Sequence, residues 1–457
     1  MLHSLARLYK PEIKANLSLS IPIIVGQLGI ILMGVIDTLM IGRVGTTATA
    51  AAGASNNVFF LITILGIGAA TVISPLVATA FQQKNLAECH LLLRVALTLG
   101  IVIGLLLTGI MWVLTAYFEI FRQEPQVSAE AQAYLAYVNF SIVPMLIFLA
   151  FKQFADGLSA TAIGMRVTWI GFFTNTFANW LLIFGNWGFP ALGLEGAGVG
   201  TLIARIVMML CMAAYVMRLP RFREILQSIY PKQLFAPRAT SVLTLGMSSS
   251  FAYFFESAAF ASSCLLIGAY FGEAPQAAHQ IVIAIASVTY MVISGIGTAG
   301  SIRVGQGLGR SSKGHILKAG TASLLLGGSL IVFFCILFIA FPYYFVAAFI
   351  NEPKVIAIAV GLMIVAGIFQ VSDGIQAVAL GILRGVSDVR IPMYITFFAY
   401  WVIGIPVGAI LGIYLQLEAL GVWIGLACGL TVSAVLLTKR FYQIVGRMFP
   451  ETRLSKS

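Results

Sequence analysis

The sequence predicts an all-α integral membrane protein. Its twelve transmembrane helices form two six-helix bundles, an N-lobe and a C-lobe, related by a pseudo-twofold axis along the membrane normal. Three observations predict this. Hydrophobic residues make up 60% of the 457 and charged residues only 9%, at a mean hydropathy of +0.99; soluble domains are about a quarter charged. Apolar runs long enough to cross a bilayer, roughly 20 residues, recur along the whole chain. The two halves also resemble each other, weakly but in order.

That composition excludes a soluble catalytic domain, because no long stretch lacks apolar runs. The formal charge of +11 would suggest nucleic acid in a soluble protein. Here the basic residues sit in short loops between apolar spans, so membrane topology accounts for them and no nucleic-acid partner is expected. Cys89, Cys211, Cys264, Cys335 and Cys428 show no metal spacing, and four of them lie in apolar runs as packing residues do. His3, His90, His279 and His315 form no ligand cluster. With neither a metal cluster nor a nucleophile–base motif, no enzyme activity and no cofactor is expected.

Twelve spans are predicted, near 15–42, 52–80, 91–118, 130–156, 163–184, 195–217, 241–269, 275–302, 316–346, 355–383, 392–412 and 418–438. Span 1 (IPIIVGQLGIILMGVIDTLMIG) carries one charge, Asp37, together with Pro22 and three glycines that weaken a helix. Pro22 is the candidate bending element. Basic residues precede span 1 (Arg7, Lys10, Lys14), follow the even-numbered spans and close the chain (Lys439, Arg440, Arg447, Arg453, Lys456), whereas the alternate loops hold only Arg43, Arg122 and Lys354. The positive-inside rule then puts both termini in the cytoplasm. The basic N-terminus leads into a full span that acts as its own insertion signal, so no cleavable leader is expected.

A polar connector divides six spans from six, giving an N-terminal bundle over 1–220, a cytoplasmic linker over 221–240 and a C-terminal bundle over 241–457. Ile41-Gly42 recurs as Ile267-Gly268, Gly66-Ile67-Gly68 as Gly295-Ile296-Gly297, and the stretch from Gly157 to Gly185 resembles that from Gly385 to Gly412. Halves with an even number of spans are parallel repeats. Two bundles with a substrate path between them point to a transporter.

Three carboxylates lie deep in spans: Asp37 in span 1, Glu256 in span 7 and Asp373 in span 10. An ionisable group at membrane depth is costly and suggests function. Each can bind a proton or, with oxygen partners, Na+, and can attract a cationic substrate. A carboxylate hydrogen-bonded for helix packing is the alternative, and three in one chain weigh against it. Asn175 and Asn179, four apart in span 5, share one helix face. They either join helices or supply oxygens to an ion. Lys152, Asp156 and Arg205 read as structural charges near cytoplasmic span ends, where long side chains reach water. His279 reads as a polar packing residue.

The motifs VIDTLMIGRVG ending span 1, FADGLS after span 4, FFE in span 7, AAHQ opening and SIRVGQGLG ending span 8, and LRGVSD after span 10 resemble the MATE (multidrug and toxic compound extrusion) family over almost the whole chain. Glu256 with Asp373 resembles its NorM branch. The resemblance implies an antiporter of the bacterial inner membrane that exports cationic lipophilic drugs and dyes in exchange for inward H+ or Na+, by alternating access. It implies a cation site, for H+ or Na+, at Glu256 and Asp373. A proton or substrate site at Asp37, Asn175 and Asn179 is implied in the N-lobe. The family often has a tyrosine four residues before the span 10 aspartate; here it is Phe369. One oxygen ligand of that pattern is absent, and both ions stay open. A complete two-half cavity needs no partner, so a monomer is expected. The alternative is a lipid-linked oligosaccharide flippase of the same superfamily, which usually carries several cavity cations, whereas the deep charges here are acidic.

Overall fold

The computed structural model describes residues 2–121 and 123–450, with the side chains of 2–8 and 221 left aside. Arg122, Arg453 and Lys456 lie outside the described residues, as do the side chains of His3, Arg7 and Arg221. Among the described residues, twelve helices are long and apolar enough to cross a membrane. Spans 1 to 6 are Tyr9–Gly42, Thr46–Gln82, Leu86–Ala116, Pro125–Gly157, Thr161–Phe184 and Leu194–Arg218. Spans 7 to 12 are Lys232–Phe271, Glu273–Gly309, Lys313–Ala340, Pro353–Gly385, Arg390–Tyr414 and Glu418–Met448. Span 9 ends before its expected boundary because Pro342 opens a separate short helix, Pro342–Ala347.

Prolines explain the breaks inside spans, since the ring removes a donor and crowds the carbonyl four residues back. Span 2 is interrupted at Thr71-Val72, just before Pro75. Span 4 passes through a 3₁₀ turn at Asn139–Ser141, before Pro144. Span 11 widens into a π-helix at Phe398–Gly404, before Pro406, and again at Ile410–Tyr414. Span 1 instead runs as one helix from Leu2 to Gly42, straight through Pro22.

The internal repeat is visible in small details. Asn85 caps span 3 by accepting from the Glu88 amide at 3.0 Å, and Ser312 caps span 9 by accepting from the His315 amide at 3.3 Å. The residues before these caps, Lys84 (φ 58°) and Ser311 (φ 52°), are both left-handed, as are Ser159 (φ 61°) and Ser387 (φ 60°) after spans 4 and 10. A Cβ at Gly157 would lie 2.6 Å from the Ser74 carbonyl oxygen, and one at Gly385 would lie 2.8 Å from that of Ser301. The same close approach of backbones is thus made once in each half.

The contacts divide the chain into two compact units whose boundaries fall inside helices. One unit takes in the chain up to Ile21 together with everything from Phe255 on; the other is Pro22–Phe254. In the second unit a core that includes Ile41, Phe59, Met111, Tyr134, Ile183 and Leu194 packs spans 1 to 6. The initial part of span 7 is seated there too: the Ser250 hydroxyl donates to the Leu65 carbonyl, and Thr71 and Ser249 share a 3.0 Å hydrogen bond. In the first unit a core of Ile267, Val282, Phe338, Phe369, Tyr400 and Trp423 packs spans 7 to 12. The initial part of span 1 joins it through Asn16, whose Nδ2 donates to Ser323 Oγ at 2.7 Å.

Candidate functional site

Within Pro22–Phe254, Asp37 meets span 5. Asn175 and Asn179 are fully buried on one face of that helix. Asn179 Nδ2 donates to Asp37 Oδ1 at 2.5 Å and lies 3.4 Å from Asn175 Oδ1. Span 6 admits the amide because its facing residue is Gly200, where a Cβ would overlap Asn179 Oδ1. Asn175 Nδ2 and Asn179 Oδ1 are buried with no protein partner. The three residues singled out in this half therefore form one polar cluster, with a donor and an acceptor to spare.

Arg205 stands beside that cluster, and its position corrects the sequence reading. It lies near the middle of the helix Leu194–Arg218 rather than near an end. The predicted bounds of span 6, 195–217, already put it mid-span, and the helix continues more than three turns past Arg205. The guanidinium donates to Ser141 Oγ at 2.7 Å and sits 4.9 Å above the Phe59 ring. Asp37 feels its positive charge. Tyr134 donates to Asn56 Oδ1 at 3.2 Å close by.

The second cluster is built entirely from residues after Phe255. Glu256 in span 7 is 6% exposed and Asp373 in span 10 is 5% exposed. Their like charges act on each other, and Arg384 supplies an attractive field at Glu256. Gln376, one helical turn beyond Asp373, donates to Glu256 Oε1 at 3.3 Å and to the Tyr400 hydroxyl at 3.0 Å. Tyr400 in turn donates to Glu256 Oε1 at 3.2 Å. Next to it, the Trp401 indole donates to the Phe255 carbonyl at 3.1 Å. Glu256 Oε2, Asp373 Oδ1 and Gln376 Oε1 are buried with no donor. Three bare oxygens in an apolar surround are costly unless a cation or proton joins them, so the donor set fits a proton or a hard cation.

The structure thus joins Asp37 to Asn175 and Asn179, and Glu256 to Asp373, in separate units. Sequence reasoning missed Gln376 and Tyr400. Gln376 carried a usable signal, since it lies three residues from Asp373 and so on the same helix face. Tyr400 carried none. Phe369 lies against Phe260 and Trp423, with ring centroids 5.9 and 5.3 Å away. His279 accepts a 3.1 Å hydrogen bond from the Trp423 indole in the core. Lys152 and Asp156 pair with each other at 2.7 Å. The five cysteines are unpaired thiols, and no group of three His, Cys, Asp or Glu side chains gathers among the described residues.

The MatE family profile matches the chain twice, over residues 22–181 and 249–410. A probable multidrug resistance protein NorM from Mesorhizobium japonicum is 31% identical over 448 residues, covering 95% of this chain and 94% of that protein. The multidrug resistance protein NorM of Vibrio vulnificus is 31% identical over 440 residues, covering 95% and 96%. Among solved structures, a eukaryotic MATE transporter superposes with a TM-score of 0.87 at 17% identity, covering 97% of this chain and 100% of its own. The bent form of a Vibrio cholerae MATE transporter gives 0.85 at 15% identity, with coverage of 97% and 100%. The paired profile matches fall on the two halves that repeat caps, turns and glycine contacts, and the chain belongs to the MATE family of transporters, in its NorM-like branch.

Proposed function

We propose that the protein is a multidrug efflux antiporter of the bacterial inner membrane, with both termini cytoplasmic. It exports cationic lipophilic drugs and dyes in exchange for inward H+ or Na+ and works as a monomer. The observation that carries this reading is the buried Glu256–Asp373 pair with three donorless oxygens around it. The naming of the bacterial relatives as multidrug resistance proteins supports the substrate class.

Alternating access needs an ion that binds one conformation better than the other, because only differential affinity shifts a conformational equilibrium. A cation entering between Glu256 and Asp373 cancels their mutual repulsion and so changes the cost of keeping both carboxylates buried. Asp37, held by Asn179 and facing the charge of Arg205, is the counterpart that takes a proton or the cationic substrate. The test is dye efflux from proteoliposomes under an imposed Na+ gradient, then under an imposed pH gradient. At least one gradient should drive accumulation, and Glu256→Gln and Asp373→Asn should each abolish it while leaving folded protein. Transport that ignores both gradients, or survives in either variant, overturns the reading.

A further inference from the structure

Glu256 Oε1 and Oε2 have opposite surroundings. Oε1 accepts from both the Tyr400 hydroxyl, at 3.2 Å, and the Gln376 amide, at 3.3 Å. Oε2 is buried and accepts from nothing. An oxygen holding two neutral donors is a poor place for a further proton or cation, so an arriving ion is directed to Oε2. Gln376 is oriented just as firmly. Its amide nitrogen is committed to Glu256 and to the Tyr400 oxygen, 3.0 Å away, which leaves its carbonyl oxygen, buried on a side chain 1% exposed, without a donor. The Asp373 oxygen without a donor belongs to the same face of span 10, one turn earlier.

Tyr400 is 0% exposed and comes from the π-helical stretch Phe398–Gly404. Such wide turns are rare and recur at functional sites. This one grips span 7 at two consecutive residues: Tyr400 holds the Glu256 carboxylate, and Trp401 holds the carbonyl of Phe255. A hydroxyl, which Phe369 lacks, is supplied to Glu256 by another helix.

We propose that Gln376 and Tyr400 complete the monovalent-cation site of this chain: Gln376 Oε1 is its uncharged ligand, and Tyr400 is the positioning residue that turns Glu256 Oε2 toward the ion. The inference rests on Glu256 and Asp373 being the coupling site. The charged and titratable groups facing the site are Asp373, Arg384 and Tyr400 around Glu256, with Tyr290 beside Tyr400. None of these is altered by Gln376→Met, and Tyr400→Phe removes only the hydroxyl.

The experiment measures binding apart from transport. Radioactive Na+ binding to purified protein in detergent is titrated at several pH values, for wild type, Gln376→Met and Tyr400→Phe, so that Na+ and protons are read from one data set. The dye-transport rate is then measured against ion and against dye concentration. A lost hydrogen bond or ligand to a charged site corresponds to about tenfold in affinity. Both variants should therefore need about tenfold more ion for half-saturation, with the same maximal binding and an unchanged half-saturating dye concentration. If the wild type binds and couples an ion while both variants stay within twofold of it, the roles of Gln376 and Tyr400 are refuted and the coupling site stands. If the wild type binds neither ion, the coupled-transport reading falls as well.

Discussion

At the residue scale, Asp37 depends on a glycine that touches it nowhere. Asn179 donates to the carboxylate, and the amide fits only because Gly200 has no side chain. Gly200→Ala should therefore act like Asn179→Ala, since the added methyl has to expel the amide from its place against Asp37. Losing a hydrogen bond to a charged group costs about 1.5–3 kcal/mol, so both variants should cut dye efflux by at least tenfold with protein levels near wild type. Gly53→Ala is the control, because a methyl there meets no atom within 4 Å. Efflux from Gly200→Ala equal to that of the control would show that the Asn179–Asp37 contact is dispensable. Much of this cluster was legible beforehand: an ionisable residue in an apolar run and two amides four apart are patterns along one chain. Their meeting across spans 1 and 5, and the presence of Arg205 beside them, depends on helix packing. Gln376 could have been read from its spacing to Asp373, but Tyr400 reaches Glu256 from another helix through a π-turn that no local residue pattern announces.

At the element scale, spans 11 and 12 meet backbone to backbone. Gly404, Gly408 and Gly412 on one helix and Gly421, Gly425 and Gly429 on the other repeat at every fourth residue. A Cβ at Gly421 would lie 2.5 Å from the Gly412 nitrogen, one at Gly429 would lie 2.5 Å from the Ala399 carbonyl oxygen, and one at Gly425 would overlap the Gly408 backbone. Small residues at this spacing let helices approach in lipid, where apolar burial gives little driving force. The spacing is plain in the sequence; its partner is not, since either face of either helix could have carried a contact. The seam also braces the π-helical turn that presents Tyr400. Gly425→Leu should destabilise the protein by at least the 1–3 kcal/mol or so of ordinary overpacking, because backbone atoms cannot swing aside. Gly361→Leu, at a site with nothing within 4 Å, should melt within a degree or two of wild type. Thermal melting in detergent, followed by size-exclusion fluorescence, decides it: equal melting of the two variants would mean that the seam is not needed for stability.

At the scale of the whole molecule, the connector after span 6 marks the duplication, whereas the compact units divide inside spans 1 and 7. Local polarity announces a loop, but a helix that changes partners halfway along leaves no mark in composition. Each of these two helices is anchored near its start by an ion pair, and the two anchors have opposite sense. Glu12 of span 1 accepts from Arg303 at 2.5 Å and has His315 at 3.6 Å. Arg238 of span 7 pairs with Glu88 at 2.6 Å. Counted back from the matching Ile41-Gly42 and Ile267-Gly268, Glu12 and Arg238 hold the same place in each repeat, and Glu88 and His315 both follow the N-cap of the third helix of their repeat. The duplicated fold has kept the anchor and exchanged its charges. Arg303 is doubly engaged, since it also donates to Gln306 at 2.7 Å, and the pair is mostly buried, at 16% and 15% side-chain exposure. Exposed pairs contribute about 0–1 kcal/mol, and this sheltered, hydrogen-bonded one should sit at or somewhat above that range. Glu12→Arg should be the worst of three variants, because it sets a fourth cation beside Arg303 and the basic residues Arg310 and Lys318 that surround His315. Arg303→Glu should be intermediate, and the exchanged pair Glu12→Arg with Arg303→Glu should recover at least half of the lost melting temperature and transport rate. A double-mutant cycle on both readouts isolates the pairwise energy. Additive losses with no recovery would show that Glu12 and Arg303 act separately, and that the start of span 1 is held by packing and the Asn16–Ser323 hydrogen bond alone.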